Sequence, residues 1–570
     1  MKKLCAFLFL VVLSLTILTY NVQGQKYKPG PQDMTFFSSV DESNQPYAIY
    51  IPEHFDESKK YPLVVFLHGA FSNHRLGLRR VFGEGNKQGP EFGTPGFVPP
   101  QTDLEATRFY PELKSVDYIA AAPFARGTAG YKGIPEQDVF DMLADIKSKF
   151  LIDEDRMYLT GLSMGGGGTL WIGLTRPDMW AAIAPVCPAP PQGTDKLAMN
   201  ALNIPVHLFV GDRDRLMSTA DEWEKNFKSN GVDVEYMIYP GIAHNSWEYA
   251  YKDGFIFDWF AQFERDLFPA QVKFTTNAFK YNKAYWVNFD NLTPGVDATI
   301  DAKFVDDNQI EITTKDLLAF TLNLKGHPQF KADAKVTITV DKKAFTVRSP
   351  DVVSFSMVNG AWVNRKFTPG RLSKQAGAEG PLSAALSSNH IYVYGTQGDP
   401  DEEEQQARRE QATHAADWAF DRAFGGRVMI FPRALADNRV RQSDLETSDL
   451  ILFGTAETNS WIKKYSDRLP IQLNENADGY GLVYIFPMNG HYVLINSGLP
   501  WWTPPASSEG QPAGIDRLTG KGSSLNAFPD FILFENTPDN VISKGFFDNN
   551  WEIPASEKAK LKASGVVKLN

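Results

Sequence analysis

Three polar residues stand in chain order at the ends of apolar runs: Ser163, Asp214 and His244. Together they could activate a hydroxyl for attack on a carbonyl. Ser163 lies in Gly161-Leu162-Ser163-Met164-Gly165. That G-x-S-x-G spacing suits a strained strand-to-helix turn which lifts the hydroxyl clear of a sheet edge. Side chains at 161 or 165 would collide with the turn. The helix that follows aims its free N–H groups at developing negative charge. Asp214 closes "GDRD" after the run "IPVHLFVG", and His244 sits in "IAHNSW" after "VEYMIYPG". Serine, acid, histidine is the order in which an imidazole takes the serine proton and a carboxylate orients the imidazole. Asp212 is the rival acid. Asp214 is favoured because it stands further past its strand and can turn towards His244.

Attack on a carbonyl also needs two donors for the oxyanion. The Met164 N–H, directly after the serine, is one. The Ala70 N–H, after "FLHG", is the other, and His68 in that turn reads as structural. Phe71 and Trp247 are candidates for the substrate pocket, although Trp247 fits core packing equally well. Rival readings of the glycine-rich run fail on spacing. A phosphate-binding loop would need a lysine after its last glycine, and no register gives G-x-G-x-x-G. Three further glycines, Gly166 to Gly168, exceed what the turn requires. Some of them are expected to let the helix pack closely on neighbouring strands.

The elements that must position these residues follow an alternating pattern from Tyr47 to Phe268. Strands are predicted at Leu63–Leu67, Tyr118–Ala122, Met157–Thr160, Ala181–Val186, Val206–Val210 and Val234–Tyr239. A helix after Pro135 presents Val139, Leu143, Ile146 and Phe150 on one face. This rhythm implies a mostly parallel sheet with helices on both faces. The stretch 71–111 is too long for an ordinary connection and is expected to shape the pocket. From Phe274 to Val363 the pattern becomes short alternating strands. From Ser373 the α/β rhythm returns, with a long charged helix in "DEEEQQARREQATHAADWAFDRAF" and a hairpin pair in "GYGLVYIFPMNGHYVLINS". The expected divisions are 1–24, 25–269, 270–365 and 366–570.

The chain has 570 residues, 43% of them hydrophobic, enough for several cores. Its net charge of −11 argues against nucleic acid as a partner. Residues 1–24 carry a basic start, a short apolar run and small residues near Gly24, the pattern of a secretory signal. The expectation is a periplasmic or secreted protein without stable membrane insertion after cleavage. Cys187 would then be the only cysteine left, and it reads as a buried small hydrophobe. Nine scattered histidines without H-E-x-x-H give no metal site. Oligomeric state is left open.

The motifs "FLHG", "IDEDRMYLTGLSMGGGG", "GDRD" and "YPGIAHNSW" over Tyr47 to Phe268 resemble secreted serine esterases of the α/β-hydrolase fold. They look most like the feruloyl and acetylxylan esterases of carbohydrate esterase family 1, and also resemble prolyl oligopeptidase-type catalytic domains. The resemblance implies an α/β-hydrolase fold, followed here by a β-rich segment and a smaller α/β domain. It implies cleavage of carboxylic esters, feruloyl or acetyl groups on polysaccharide, through an acyl-enzyme without cofactor. A prolyl oligopeptidase-like serine peptidase is the alternative. Such peptidases carry a β-propeller ahead of the catalytic domain, and no blade repeat precedes Tyr47. The segment "GPLSAAL…IYVYGT…DLILFGTAETN" resembles a companion domain of bacterial exported esterases, with no role attached. A third reading makes this half a carbohydrate-binding module, with Trp501 and Trp502 as a sugar platform.

Overall fold

In the first sheet, strands β3 (Tyr61–Leu67), β4 (Ile119–Pro123), β6 (Ala182–Val186) and β7 (Val206–Gly211) are buried along their whole length. Unbroken Val, Ile, Leu and Ala runs permit this, because both faces must be covered in a parallel sheet. With β1 (Gly30–Ser38), β2 (Ser43–Ile51), β5 (Ile152–Leu162) and β8 (Val234–Tyr239) they form one eight-stranded sheet in the order β1-β2-β4-β3-β5-β6-β7-β8. Strands β3 to β8 run parallel. Strands β1 and β2 add an antiparallel edge, earlier in the chain than the alternation from Tyr47 suggests. Strand β8 is half exposed, as the other edge should be. This is the α/β-hydrolase arrangement. The computed structural model describes residues 27–85, 107–348, 351–419, 429–501 and 528–570.

Helices connect the parallel strands: α1 (His74–Val81), α2 (Ile134–Lys149), α3 (Met164–Thr175) and α4 (Met217–Ser229). Helix α1 lies within the stretch 71–111, which the sequence reads as a loop. Asn73 caps it by accepting the Leu76 N–H at 3.0 Å, and Leu76, Leu78 and Val81 are buried. Eight residues are too few for a helical period to stand out in the sequence. The Gly- and Pro-rich part of that stretch and the signal-like start lie outside the described residues.

Beyond Pro269, two five-stranded sheets between Gln271 and Val363 share one core that includes Phe274, Phe289, Ile300, Phe320 and Phe355. This β-rich part is latched to the first. Asn200 exchanges two hydrogen bonds with the Thr275 backbone, and the Tyr281 hydroxyl donates to Glu136 at 2.8 Å. A seven-stranded mixed sheet follows, with its own core. Its hairpin, Tyr480–Met488 with His491–Gly498, matches the expected pair. Trp501 is 3% exposed inside that core, so it offers no face to a sugar. Trp502 lies outside the described residues. Among the described residues no helix is long and apolar enough to cross a membrane.

Candidate active site

Strand β5 runs directly into Ser163, whose backbone sits at φ 54° and ψ −115°. That is a strained region for an L residue, and surrounding bonds hold it there. The Ser163 N–H donates to Val186 at the end of β6, and its carbonyl accepts from Gly167 and Ala189, each at 2.9 Å. Gly165 is required by close approach, since a Cβ there would stand 1.9 Å from the Leu67 carbonyl oxygen of β3. Of the surplus glycines, Gly166 meets a neighbouring strand as expected, whereas Gly167 and Gly168 meet a loop and a side chain. A Cβ at Gly167 would meet the Ala189 carbonyl at 2.1 Å. One at Gly166 would meet Val186 at 2.4 Å, and one at Gly168 the Tyr131 ring at 2.5 Å. Helix α3 is thus clamped between β3, the loop after β6 and Tyr131.

The structure brings Ser163, Asp214 and His244 together. His244 Nε2 lies 2.9 Å from Ser163 Oγ, and Nδ1 lies 2.9 Å from Asp214 Oδ2. A carboxylate can only accept, so the Nδ1 hydrogen goes to Asp214 and Nε2 is left to accept the serine proton. The Asp214 side chain is fully buried, and its other oxygen accepts the Leu216 N–H at 2.9 Å. The His244 side chain keeps a third of its surface exposed. Asp212 turns away and accepts the Gly241 N–H at 2.7 Å, which ties the histidine loop to the acid loop.

The oxyanion candidates flank Ser163. A Cβ at Gly69 would stand 2.6 Å from the Leu162 side chain and 3.6 Å from Ser163 Cβ, so the turn carrying Ala70 lies against the serine. Phe71 adopts φ 62° and donates its N–H to Thr128 Oγ1 at 2.9 Å. Among the described residues the Ala70 and Met164 N–H groups have no protein acceptor. His68 is fully buried, with ring nitrogens 2.8 and 2.9 Å from the Gly69 and Phe124 carbonyls, a structural placement. Phe71 is 39% exposed. Trp247 is buried, edge-on to the His244 ring at 5.4 Å, and donates to Glu248 at 2.9 Å. The Arg80 guanidinium lies over that indole at 5.5 Å and donates to Ser72 at 3.2 Å.

Cys187 is the buried, free cysteine expected from its apolar run. It is buried directly behind the site, with its thiol 3.5 Å from the His244 carbonyl. Its position immediately after β6, between the strands that end in Ser163 and Asp214, was the available signal. Burial pushes the thiol pKa up to about 12, so it stays protonated and is a poor nucleophile. Its sulfur, the Asp214 carboxylate and the His244 ring offer potential ligand atoms within 4.8 Å of one another. Of these groups, the Asp214 carboxylate and the His244 ring are joined by a hydrogen bond at 2.9 Å, while the Cys187 thiol bonds the His244 backbone carbonyl.

Residues 38–263 match the Esterase family model. A curated relative, the bis(hydroxyethyl) terephthalate hydrolase of Streptomyces coelicolor, is 28% identical over 160 residues. The match covers 28% of this chain and 44% of the relative, so the chain spans less than half the length of that relative. A solved ferulic acid esterase is 20% identical, with a TM-score of 0.32, over 40% of this chain and 95% of its own. The feruloyl esterase module of Clostridium thermocellum, solved with sinapinate, is 16% identical, with a TM-score of 0.31, over 41% and 88%.

Proposed function

We propose that this protein, whose residues 38–263 are of the Esterase type, hydrolyses carboxylic esters through an acyl-enzyme on Ser163. The observation that carries the reading is the relay Ser163–His244–Asp214, with both links at 2.9 Å. As Ser163 Oγ bonds the carbonyl carbon, its proton passes to His244 Nε2, and Asp214 stabilises the imidazolium. The carbonyl oxygen becomes an oxyanion held by the Met164 and Ala70 N–H groups. The C–O bond breaks, and the alcohol leaves with the proton from His244. Water then attacks the acyl carbon, gives its proton to His244, and releases the acid as that proton returns to Ser163. Losing one oxyanion donor typically costs about 100- to 1000-fold in rate.

The proposed substrates are feruloyl or acetyl esters on polysaccharide, met outside the cell after removal of residues 1–24. Support for an aromatic acyl group is the exposed Phe71 beside Ala70, while Trp247, buried beneath Arg80 and bonded to Glu248, has the core placement its sequence context equally allowed. The test compares wild type with Ser163→Ala on methyl ferulate, a short acetyl ester, a hydroxyethyl terephthalate ester and proline-containing peptides. The variant is expected to lose about a millionfold in turnover on the esters. Unchanged ester hydrolysis in Ser163→Ala would refute the reading. Turnover of the peptides alone would move the chain to the peptidase alternative.

A further inference from the structure

Segment 124–133 holds the oxyanion loop and is itself gripped by the C-terminal half. On the loop side it makes three contacts. The Phe124 carbonyl lies 2.9 Å from His68 Nε2, and Thr128 Oγ1 accepts the Phe71 N–H at 2.9 Å. The Tyr131 hydroxyl donates to the His68 carbonyl at 3.1 Å. These bonds enclose Ala70, whose N–H is the assigned donor.

On the other side lie residues about 300 positions further along the chain. The Met429 N–H donates to the Arg126 carbonyl at 3.1 Å, and Arg126 Nη1 donates to the Met429 carbonyl at 3.4 Å. Ile430 is 2% exposed in a small apolar cluster with Val40, Ile134 and Ala129. Ser387 closes on the same segment, 3.3 Å from where a Cβ at Gly133 would stand. The segment needs such support. Ala125, Arg126 and Gly127 have φ of 45°, 60° and 77°, three successive residues in a region that L residues avoid. The buried Arg126 guanidinium, bonded to Ser38, Asp41 and Asp138, anchors one end of the turn to the first sheet.

We infer that Met429 and Ile430 are positioning residues for the oxyanion hole: the C-terminal half, through segment 124–133, fixes the Ala70 N–H in the chemistry at Ser163. This rests on the ester-hydrolase reading above. The C-terminal half then enters the reaction without touching substrate.

The test uses the full chain with Ile430→Ala, Ile430→Val, Thr128→Val, and Ile430→Ala combined with Thr128→Val. All are assayed on one ester well below each variant's Tm. Ile430→Ala and Thr128→Val are each expected to lower kcat about tenfold with KM within twofold, because a displaced donor is felt in the transition state. Ile430→Val should restore near wild-type kcat. The double variant should fall no further than the worse single one, since both act on one segment. Wild-type kcat in Ile430→Ala overturns the inference, as does a double variant whose loss is the product of the single losses. If Ile430→Ala does not fold at the assay temperature, Met429→Pro, which removes the N–H given to Arg126, replaces it under the same criteria. Ser163→Ala run alongside separates the two readings. An active Ser163→Ala removes the esterase assignment, whereas an inactive one beside unchanged Ile430→Ala removes only this inference.

Discussion

The first and last sheets of the molecule share a topological device and use it differently. In the first, β3 is central, β4 lies to one side and β5 to the other, so the chain reverses direction between β3 and β5. In the last, His390–Tyr394 is flanked by Arg433–Ala436 on one side and Asp449–Phe453 on the other, all parallel. A crevice is expected outside the carboxyl ends of the strands at each reversal. In the first sheet that crevice holds Ser163 and the Ala70 turn, both partly open to solvent. In the last, the chain fills the crevice itself. The Gln397 N–H donates to the Thr458 carbonyl at 3.0 Å, and Asn459 donates to the Val393 and Phe453 carbonyls at 3.2 and 3.0 Å. Thr396 and the Ser460 N–H are bonded to the buried Asp437 at 2.6 and 2.7 Å. A reversal point thus creates an opportunity for a site, and the side chains at the strand ends decide whether it is kept open.

The sharpest way to break this comparison is at Asp214. Asp214→Asn keeps the shape but removes the carboxylate that orders the imidazole, and can hold the wrong tautomer. We expect kcat to fall about 10⁴-fold with unchanged Tm in a pH 7 assay. Asp437→Asn, the buried acid of the second crevice, should leave kcat within about twofold, because its bonds run to Thr396, Ser460 and Trp461 and to no residue of the candidate site. Comparable losses in both variants would mean the two crevices are not functionally distinct.

A matched pair of glycines gives the next largest effect. A Cβ at Gly165 would stand 1.9 Å from the Leu67 carbonyl, and one at Gly395 equally close to the Thr458 carbonyl. The steric insult is the same, and overpacking of this kind costs about 1–3 kcal/mol or more. Gly165→Ala must shift the serine turn, so at least a hundredfold loss of kcat is expected, on the order of a lost oxyanion donor. Gly395→Ala should lower Tm while the folded fraction, counted by a fluorophosphonate titration of Ser163, keeps its kcat. A Gly395→Ala protein that is folded but slow would tie the second crevice to catalysis.

The same two regions show what a sequence can carry. Ser163, Asp214 and His244 were legible because each follows a strongly apolar strand, and local chain geometry largely fixes where such strands end. The run of glycines was legible as a demand for close approach, though not as to which neighbours would press on it. Cys187 was legible as a buried residue from its apolar context, which said nothing about the loop it would touch. Helix α1 escaped notice because it is eight residues long and rests on one Asn cap. Trp501 was ambiguous because adjacent aromatics look alike whether they anchor a loop or present a face. The contact between Met429 and Arg126 depends on how separate parts dock, and no local pattern of either segment encodes it.

Buried carboxylates sharpen the comparison through pH. Glu136, behind helix α3, is buried, which alone would raise its pKa, but Lys280, Arg176, Trp171 and Tyr281 hold it below the usual value. Glu379, in the C-terminal half, accepts backbone bonds from Lys280, at 3.0 Å, and Phe279, but burial outweighs these and the nearby Lys280 and Lys374 charges and pushes it up to about 7. Its folded pKa exceeds the unfolded one, so its contribution to stability is fully present below the unfolded value of 4.5. That contribution is lost as pH rises through about 7. Glu379→Gln keeps an acceptor without the charge. Its Tm should equal wild type near pH 4.5 and exceed it at pH 8, the underlying gain in unfolding free energy being bounded at ~3 kcal/mol. Thermal melts across that range check the sign, and a gap that narrows with rising pH would contradict it.

The smallest expected effect probes whether the second crevice is truly self-filled. In the first sheet the buried Thr160 hydroxyl is satisfied by the Ala184 carbonyl at 2.6 Å and the Tyr251 hydroxyl at 2.8 Å. In the last sheet Asn496, at the carboxyl end of its strand, is 4% exposed, and among the described residues neither atom of its amide has a hydrogen-bond partner. Its backbone carbonyl does accept the Gly454 N–H at 2.9 Å, so only the side chain is unsatisfied. Such a group costs about 1–3 kcal/mol in desolvation. Asn496→Val removes that cost and suits a strand. Tm is therefore expected to rise by about 2–4 °C per kcal/mol recovered, with kcat unchanged. A lower Tm would mean that the amide is satisfied in the folded protein by a bound polar group. The second reversal point would then be a binding crevice like the first, and the contrast between the two sheets would be one of chemistry rather than of occupancy.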